Sequence, residues 1–126
     1  MTNKRVLHVD DEPVIASAVR NYLIRQGYDV DSASELEEAQ AMLANDRYDV
    51  IILDLRLTGS SGTEGFDLID SVRERDPRTP IILLTAYSSP HVERHAVALG
   101  ASLVLQKPVL LPDVAEAIRT LLERTQ

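Results

Sequence analysis

The chain has 126 residues, a length that suits one domain able to bury about two-thirds of its unfolded surface in a single core. Its formal net charge of -7 works against non-specific binding to nucleic acid or anionic lipid, and no cluster of Lys and Arg with interleaved aromatics offsets it. Cysteine is absent, which excludes disulfides, thiolate metal ligands and thiol catalysis and fits a reducing cytoplasm.

The first apolar run, Val6–Val9, follows Lys4 and Arg5 but stops at Asp10, far short of a signal peptide or a membrane span. It reads as a strand. Pro13 to Arg25 carries Val14, Ala18 and Leu23 at helical spacing, opens on a proline in the first turn and stops at Gly27. A weaker, alternating segment, Tyr28–Ala33, predicts a second strand, and Ser34 with Glu37 resembles a capping box for a helix running to about Asn45. Val50–Leu53 predicts the third strand. The Gly/Ser-rich stretch "TGSSGTEG", Thr58 to Gly65, is a loop leading into a helix from Gly65 to Arg75. Ile81–Leu84, a helix from Pro90 to Leu99 ending at Gly100, Leu103–Leu105 and a helix from Leu111 to Arg124 complete the order.

Strand and helix alternate five times. Strands apolar at successive positions suit a parallel sheet covered on both faces, with the helices as crossovers. The expected fold is therefore α/β: a (βα)5 doubly wound three-layer sandwich, with residues 1–126 forming one domain.

In such a sheet ligands bind along the edge where the carboxyl ends of the strands gather. The first strand ends in Asp10-Asp11, the third in Asp54, the fourth in Thr85, and the fifth, after Gln106, in Lys107. Each has a plain structural reading on its own: a helix cap for Asp11, a turn for Thr85, a surface lysine for Lys107. Asp54 resists one, because it interrupts "VIILDLRL", where an unpaired buried carboxylate is costly. Together the groups suit one chemistry. Carboxylates without His or Cys clusters match Mg²⁺, which commonly bridges protein carboxylates to phosphate. An ammonium and a hydroxyl then complete a site for an anion rich in oxygen, with Asp54 as the nucleophile.

From "VLHVDDEP" through "VIILDLRL", "GFDLI", "PIILLTAY" and "ALGAS" to "LQKP", the chain resembles the receiver domains of two-component response regulators. The resemblance implies a flavodoxin-like parallel sheet with strand order 2-1-3-4-5 and a phosphorylation-activated signalling switch, not an enzyme except toward its own phosphorylation and dephosphorylation. Asp54 would receive a phosphoryl group from a histidine kinase or a histidine phosphotransfer protein. Asp10 and Asp11 would hold Mg²⁺ together with Asp54 and the backbone carbonyl of Arg56. Thr85 corresponds to the switch hydroxyl and Lys107 to the cation that pairs with the phosphoryl oxygens, with a cis bond implied at Lys107-Pro108. An output domain or partner protein would read the face formed by the fourth helix, fifth strand and fifth helix, and a homodimer could form there. The sequence leaves open whether the receiver stands alone or is a piece of a longer regulator.

Two departures stand out. Val104 occupies the position, three before the lysine, where the family usually carries an aromatic, and the loop after Asp54 is about three residues longer than usual and lacks the common proline. Arg56 and Tyr87 occupy positions that tune phosphoryl lifetime in the family, and their bulk predicts slow self-dephosphorylation. Among the histidines, His8 lies inside the first strand, while His91 and His95 share a face of the fourth helix at i, i+4. With no third ligand in view, that pair fits a partner surface better than zinc; Val92, Ala96, Val104, Leu110 and Leu111 add apolar residues on the same side, where core packing is the alternative reading for most of them. A flavin-binding fold is disfavoured because "DDEP" would repel a phosphate. An aspartate-based phosphatase would need a second Asp where Arg56 stands. A receiver-shaped module that signals by contact alone, without phosphorylation, is the remaining alternative.

Overall fold

The computed structural model describes residues 3–54, 64–86 and 89–124. Its elements are β1 (Arg5–Val9), α1 (Pro13–Arg25), β2 (Asp29–Ala33), α2 (Leu36–Asn45), β3 (Val50–Asp54), α3 (Glu64–Arg75), β4 (Ile81–Thr85), α4 (Pro90–Leu99), β5 (Leu103–Gln106) and α5 (Leu111–Arg124). The strands form one parallel sheet in the order β2-β1-β3-β4-β5, as the sequence led us to expect. Most of the Gly/Ser-rich loop, residues 58–63, lies outside the described residues, as do Arg56 and Tyr87.

Every residue of β3 and β4 is buried, which is why their sequences run apolar without alternation. The side chains nevertheless alternate between two cores. Leu7, Val9, Ile51, Leu53, Ile81 and Leu83 pack with Ala39, Leu68, Ile69, Val72 and Ala96 of α2, α3 and α4. On the opposite face, Val6, Val50, Ile52, Ile82 and Leu84 pack with Val19, Leu23, Val114, Ile118, Leu121 and Leu122 of α1 and α5. The edge strands are less covered: β2 alternates, and no residue of β5 is fully buried.

Two local expectations need correction. Val14 and Ala18 are exposed, and α1 meets the sheet through Val19 and Leu23; the apolar stripe is real but rotated away from Val14. The second helix begins at Leu36, and Glu38 rather than Glu37 reaches back: its Oε1 accepts from the Ser34 backbone N–H at 2.6 Å and from the Ser34 hydroxyl at 3.3 Å. Of the apolar residues around α4, β5 and α5, most are core, as the sequence allowed: Ala96 is fully buried, Val104 and Leu111 pack against the two cores, and Leu110 is the strongly exposed one among the five.

The end of α4 is tied down by one side chain. Arg73 of α3 donates through Nε and Nη2 to the Gly100 carbonyl at 3.0 and 2.7 Å, and through Nη1 to the carbonyls of Thr79 and Asp76 at 2.7 and 3.1 Å. It thereby joins the carboxyl ends of α3 and α4 to the segment entering β4. Gly100 has φ +121°, and an added Cβ would lie 2.6 Å from Arg73 Cγ and Nε. Gly27, after α1, also has positive φ (+96°) but open space around it. We therefore expect Gly27→Ala to cost about 1 kcal/mol of backbone strain, and Gly100→Ala about 2–3 kcal/mol because it also dislodges Arg73. Urea unfolding of the two variants checks this ranking.

Candidate phosphoacceptor site

Parallel pairing sets the site. Val9 lies opposite Leu53, and Asp54 opposite Leu84, so the residues just beyond β1, at the end of β3 and at the end of β4 reach one edge of the sheet together. β1 and β3 are also where the chain order reverses, since β1 pairs with β2 on one side and β3 on the other. Asp10 and Asp54 sit at that crevice, each 2 % exposed. Thr85 is fully buried at the end of β4, and its carbonyl accepts from the backbone N–H of Lys107 at 2.8 Å. This bond aims the residue after β5 back over the sheet. The Lys107-Pro108 bond is cis, and Lys107 Nζ pairs with Asp54 Oδ2.

Asp10 is held differently. Its Oδ1 accepts from the backbone N–H of Glu12 at 2.9 Å, so Asp10, not Asp11, turns the chain into α1. Burial raises the pKa of Asp10; the Glu12 N–H opposes that rise, the charge of Asp54 adds to it, Lys107 opposes it, and Asp11 adds a little more. Asp11 is half-buried beside it. Asp10 Oδ2 faces His8 Nε2 at 3.7 Å, beyond hydrogen-bond length. His8 is fully buried, and burial pushes its pKa down to about 4, leaving a neutral imidazole at physiological pH.

Of the residues singled out from the sequence, Asp54, Lys107, Thr85 and Asp10 therefore converge, Asp11 adjoins them, and Arg56 falls outside the described residues. Among the described residues no three carboxylates or imidazoles form a closed cage by themselves. The donors present still fit a magnesium ion: they are hard carboxylate oxygens, Asp10 Oδ2 is buried without a hydrogen-bond partner among the described residues, and Mg²⁺ keeps waters in much of its shell. His8 escaped the sequence reading as a member of the site. Its signal was parity, since residues two apart in a strand share a face and His8 is two before Asp10.

The comparisons with known proteins bear on this constellation. The family model for the response regulator receiver domain matches residues 6–119. The chain belongs to that family. Among curated relatives it is 36% identical to the response regulator protein PilR of Pseudomonas aeruginosa, over 97% of this chain and 27% of that one. It is 32% identical to the alkaline phosphatase synthesis transcriptional regulatory protein PhoP of Bacillus subtilis, over 98% of this chain and 50% of that one. The receiver thus spans about half of such relatives or less. Among solved structures, a CheY-like receiver domain protein from Methanospirillum hungatei aligns with TM-score 0.92 at 27% identity, covering 98% and 97% of the two chains. The chemotaxis response regulator CheY4 of Vibrio cholerae aligns with TM-score 0.86 at 33% identity, covering 95% and 99%.

The Asp54–Lys107 pair makes a quantitative expectation possible. Removing one partner strands a buried charge, whereas removing both relieves it. A double-mutant cycle of Asp54→Asn and Lys107→Met, read by chemical denaturation without divalent cations, should return a favourable coupling of about 1–3 kcal/mol.

Proposed function

We propose that this chain is a single receiver domain working as a phosphorylation-driven switch, with Asp54 accepting a phosphoryl group from a histidine kinase or a histidine phosphotransfer protein in a Mg²⁺-dependent step. The observation that carries the reading is a buried carboxylate, Asp54, ion-paired to Lys107 at the carboxyl end of β3 and electrostatically coupled to Asp10. A carboxylate oxygen of Asp54 attacks phosphorus, the bond from phosphorus to the donor imidazole nitrogen breaks, and that imidazole leaves with the electron pair. Asp10, Asp11, Asp54 and the carbonyl of Arg56 are the residues that would hold Mg²⁺, whose bound charge would offset that of the incoming phosphoryl group.

Lys107 then exchanges one anion for another. In the resting arrangement its ammonium compensates the Asp54 carboxylate; after transfer it pairs with phosphoryl oxygens at the same place. The Thr85 hydroxyl, buried next to this pair's backbone anchor, donates to a second phosphoryl oxygen. Because Thr85 and Lys107 are bonded across β4 and β5, their shared demand on the phosphoryl group favours one arrangement of the α4, β5 and α5 face over another. That face is the surface for an output domain, a partner protein or a second receiver. Val104 packs into the core beneath α4, so the readout here uses backbone and helix displacement rather than a turning aromatic ring.

The chain acts chemically only on itself and works in the cytoplasm; among the described residues no helix is long and apolar enough to cross a membrane. Incubation with acetyl phosphate and Mg²⁺, followed by intact mass, tests the reading. We expect one phosphoryl adduct on the wild type, none on Asp54→Asn, and none when the cation is chelated. No adduct on either protein would favour the contact-only module.

A further inference from the structure

Directly beneath the acidic crevice lies a polar group of atoms with no assigned task. His8 Nδ1 and Nε2, Asp10 Oδ2 and Ser32 Oγ are all buried, and none has a hydrogen-bond partner among the described residues. They are neighbours by construction: His8 and Ser32 are cross-strand partners in the β1–β2 register, and His8 Nε2 faces Asp10 Oδ2 at 3.7 Å. The charges of Asp54 and Lys107 both reach the His8 ring. All around, the same face of the sheet is aliphatic, with Val6, Val30, Val50 and Ile52. An imidazole here costs more than a valine would unless its nitrogens are used.

We propose that His8 is a positioning residue for Asp10: its Nε2–H donates to Asp10 Oδ2, while Ser32 Oγ–H donates to His8 Nδ1 and fixes the tautomer. Closing the gap takes a shift of about 0.8 Å, within reach of a ring torsion. The relay is balanced in donors and acceptors. A neutral imidazole has one of each, the serine hydroxyl supplies the donor its Nδ1 requires, and the carboxylate supplies the acceptor. Asp10 is then gripped at both oxygens, by the Glu12 N–H at Oδ1 and by His8 at Oδ2, so that only its remaining lone pairs face the crevice, in one orientation. The relay adds no net charge to a site already crowded with carboxylates. Two faults are avoided at once: a carboxylate free to rotate away from the cation, and a second buried ion.

This inference rests on the reading of Asp10 as a Mg²⁺ ligand, and two measurements on the full chain keep the two apart. The first is metal-free: NMR of protein labelled with ¹⁵N in the histidine rings. We expect His8 as a single Nε2–H tautomer with a slowly exchanging ring proton, its signal displaced in Asp10→Asn and its tautomer mixed in Ser32→Ala. An Nδ1–H tautomer, or a His8 signal indifferent to Asp10→Asn, overturns the relay. The second is calorimetric titration with Mg²⁺ alone. His8→Val, an apolar residue suited to the strand, should weaken binding about tenfold, and His8→Gln, whose amide can donate from a similar place, should recover most of the loss. A merely structural histidine would alter unfolding while leaving His8→Val within about twofold of wild type for Mg²⁺, and that result also overturns the proposal. A wild type that binds no Mg²⁺ removes the site reading, and the NMR arm still decides the hydrogen bond. Conversely, Mg²⁺ binding that depends on His8 without any adduct from acetyl phosphate removes phosphorylation and leaves the relay standing.

Discussion

The structure turns on a conflict of charge: two buried carboxylates, Asp10 and Asp54, stand at the point where the sheet's chain order reverses, with Asp11 beside them. At these positions each anion raises the cost of the other, and water cannot fully screen them. Lys107 relieves the conflict on one side, by pairing with Asp54. On the other side Asp10 Oδ1 is held by the Glu12 N–H, while among the described residues Oδ2 makes no hydrogen bond at its observed 3.7 Å from His8. A site with one fixed cation and an unmet demand for a second has room for a divalent ion, and with that ion present it can take on a further anion. Phosphorylation of Asp54, as we propose it, is the process that would use this surplus.

The two ends of the sheet handle charge in opposite ways. At the amino-terminal side Arg5 pairs with Asp31 and Asp46 at 2.9 and 3.1 Å, Tyr48 donates to Asp31 at 2.6 Å, and Asp49 accepts the Arg5 backbone N–H at 2.7 Å. Arg73 adds a set of bonds to backbone carbonyls before β4 and after α4. Those carboxylates are each engaged, in a network that ties β1 to β2 and to the segment entering β3. At the carboxyl-terminal side several buried polar atoms have no hydrogen-bond partner among the described residues. Groups kept in such a state are functional candidates, since mere stability would favour an aliphatic replacement.

Much of this was legible in the residues. Continuous apolar runs such as "VIILD" and "IILLT" announced strands covered on both faces, and the polar residue closing each run marked the edge where a site would gather. The edge character of β2 was visible in its alternation. Helix faces were harder to read, because on α1 an apolar residue at nearly every position of the first turns leaves the stripe ambiguous; packing against the sheet chose Val19 and Leu23 over Val14. Helix α2 opens at Leu36 with Glu35 as its N-cap residue, and it is Glu38, four residues on from Ser34, that reaches the Ser34 N–H, where the sequence pattern pointed to Glu37. His8 shares a strand face with Asp10 by local parity, but it looked like a core histidine until register brought it against Ser32. Cross-strand adjacency of that kind is created by the fold and is not written in any local stretch.

The most direct test of the charge argument is the effect of Mg²⁺ on folding stability, measured by unfolding at matched ionic strength with a monovalent salt as control. A ligand that binds only the native state raises stability with the logarithm of its concentration once above its Kd. Our account predicts such a rise for the wild type and its disappearance in Asp10→Asn and Asp54→Asn, with monovalent salt giving no comparable effect. Equal stability in the two salts, or a Mg²⁺ effect undiminished in both variants, would contradict it.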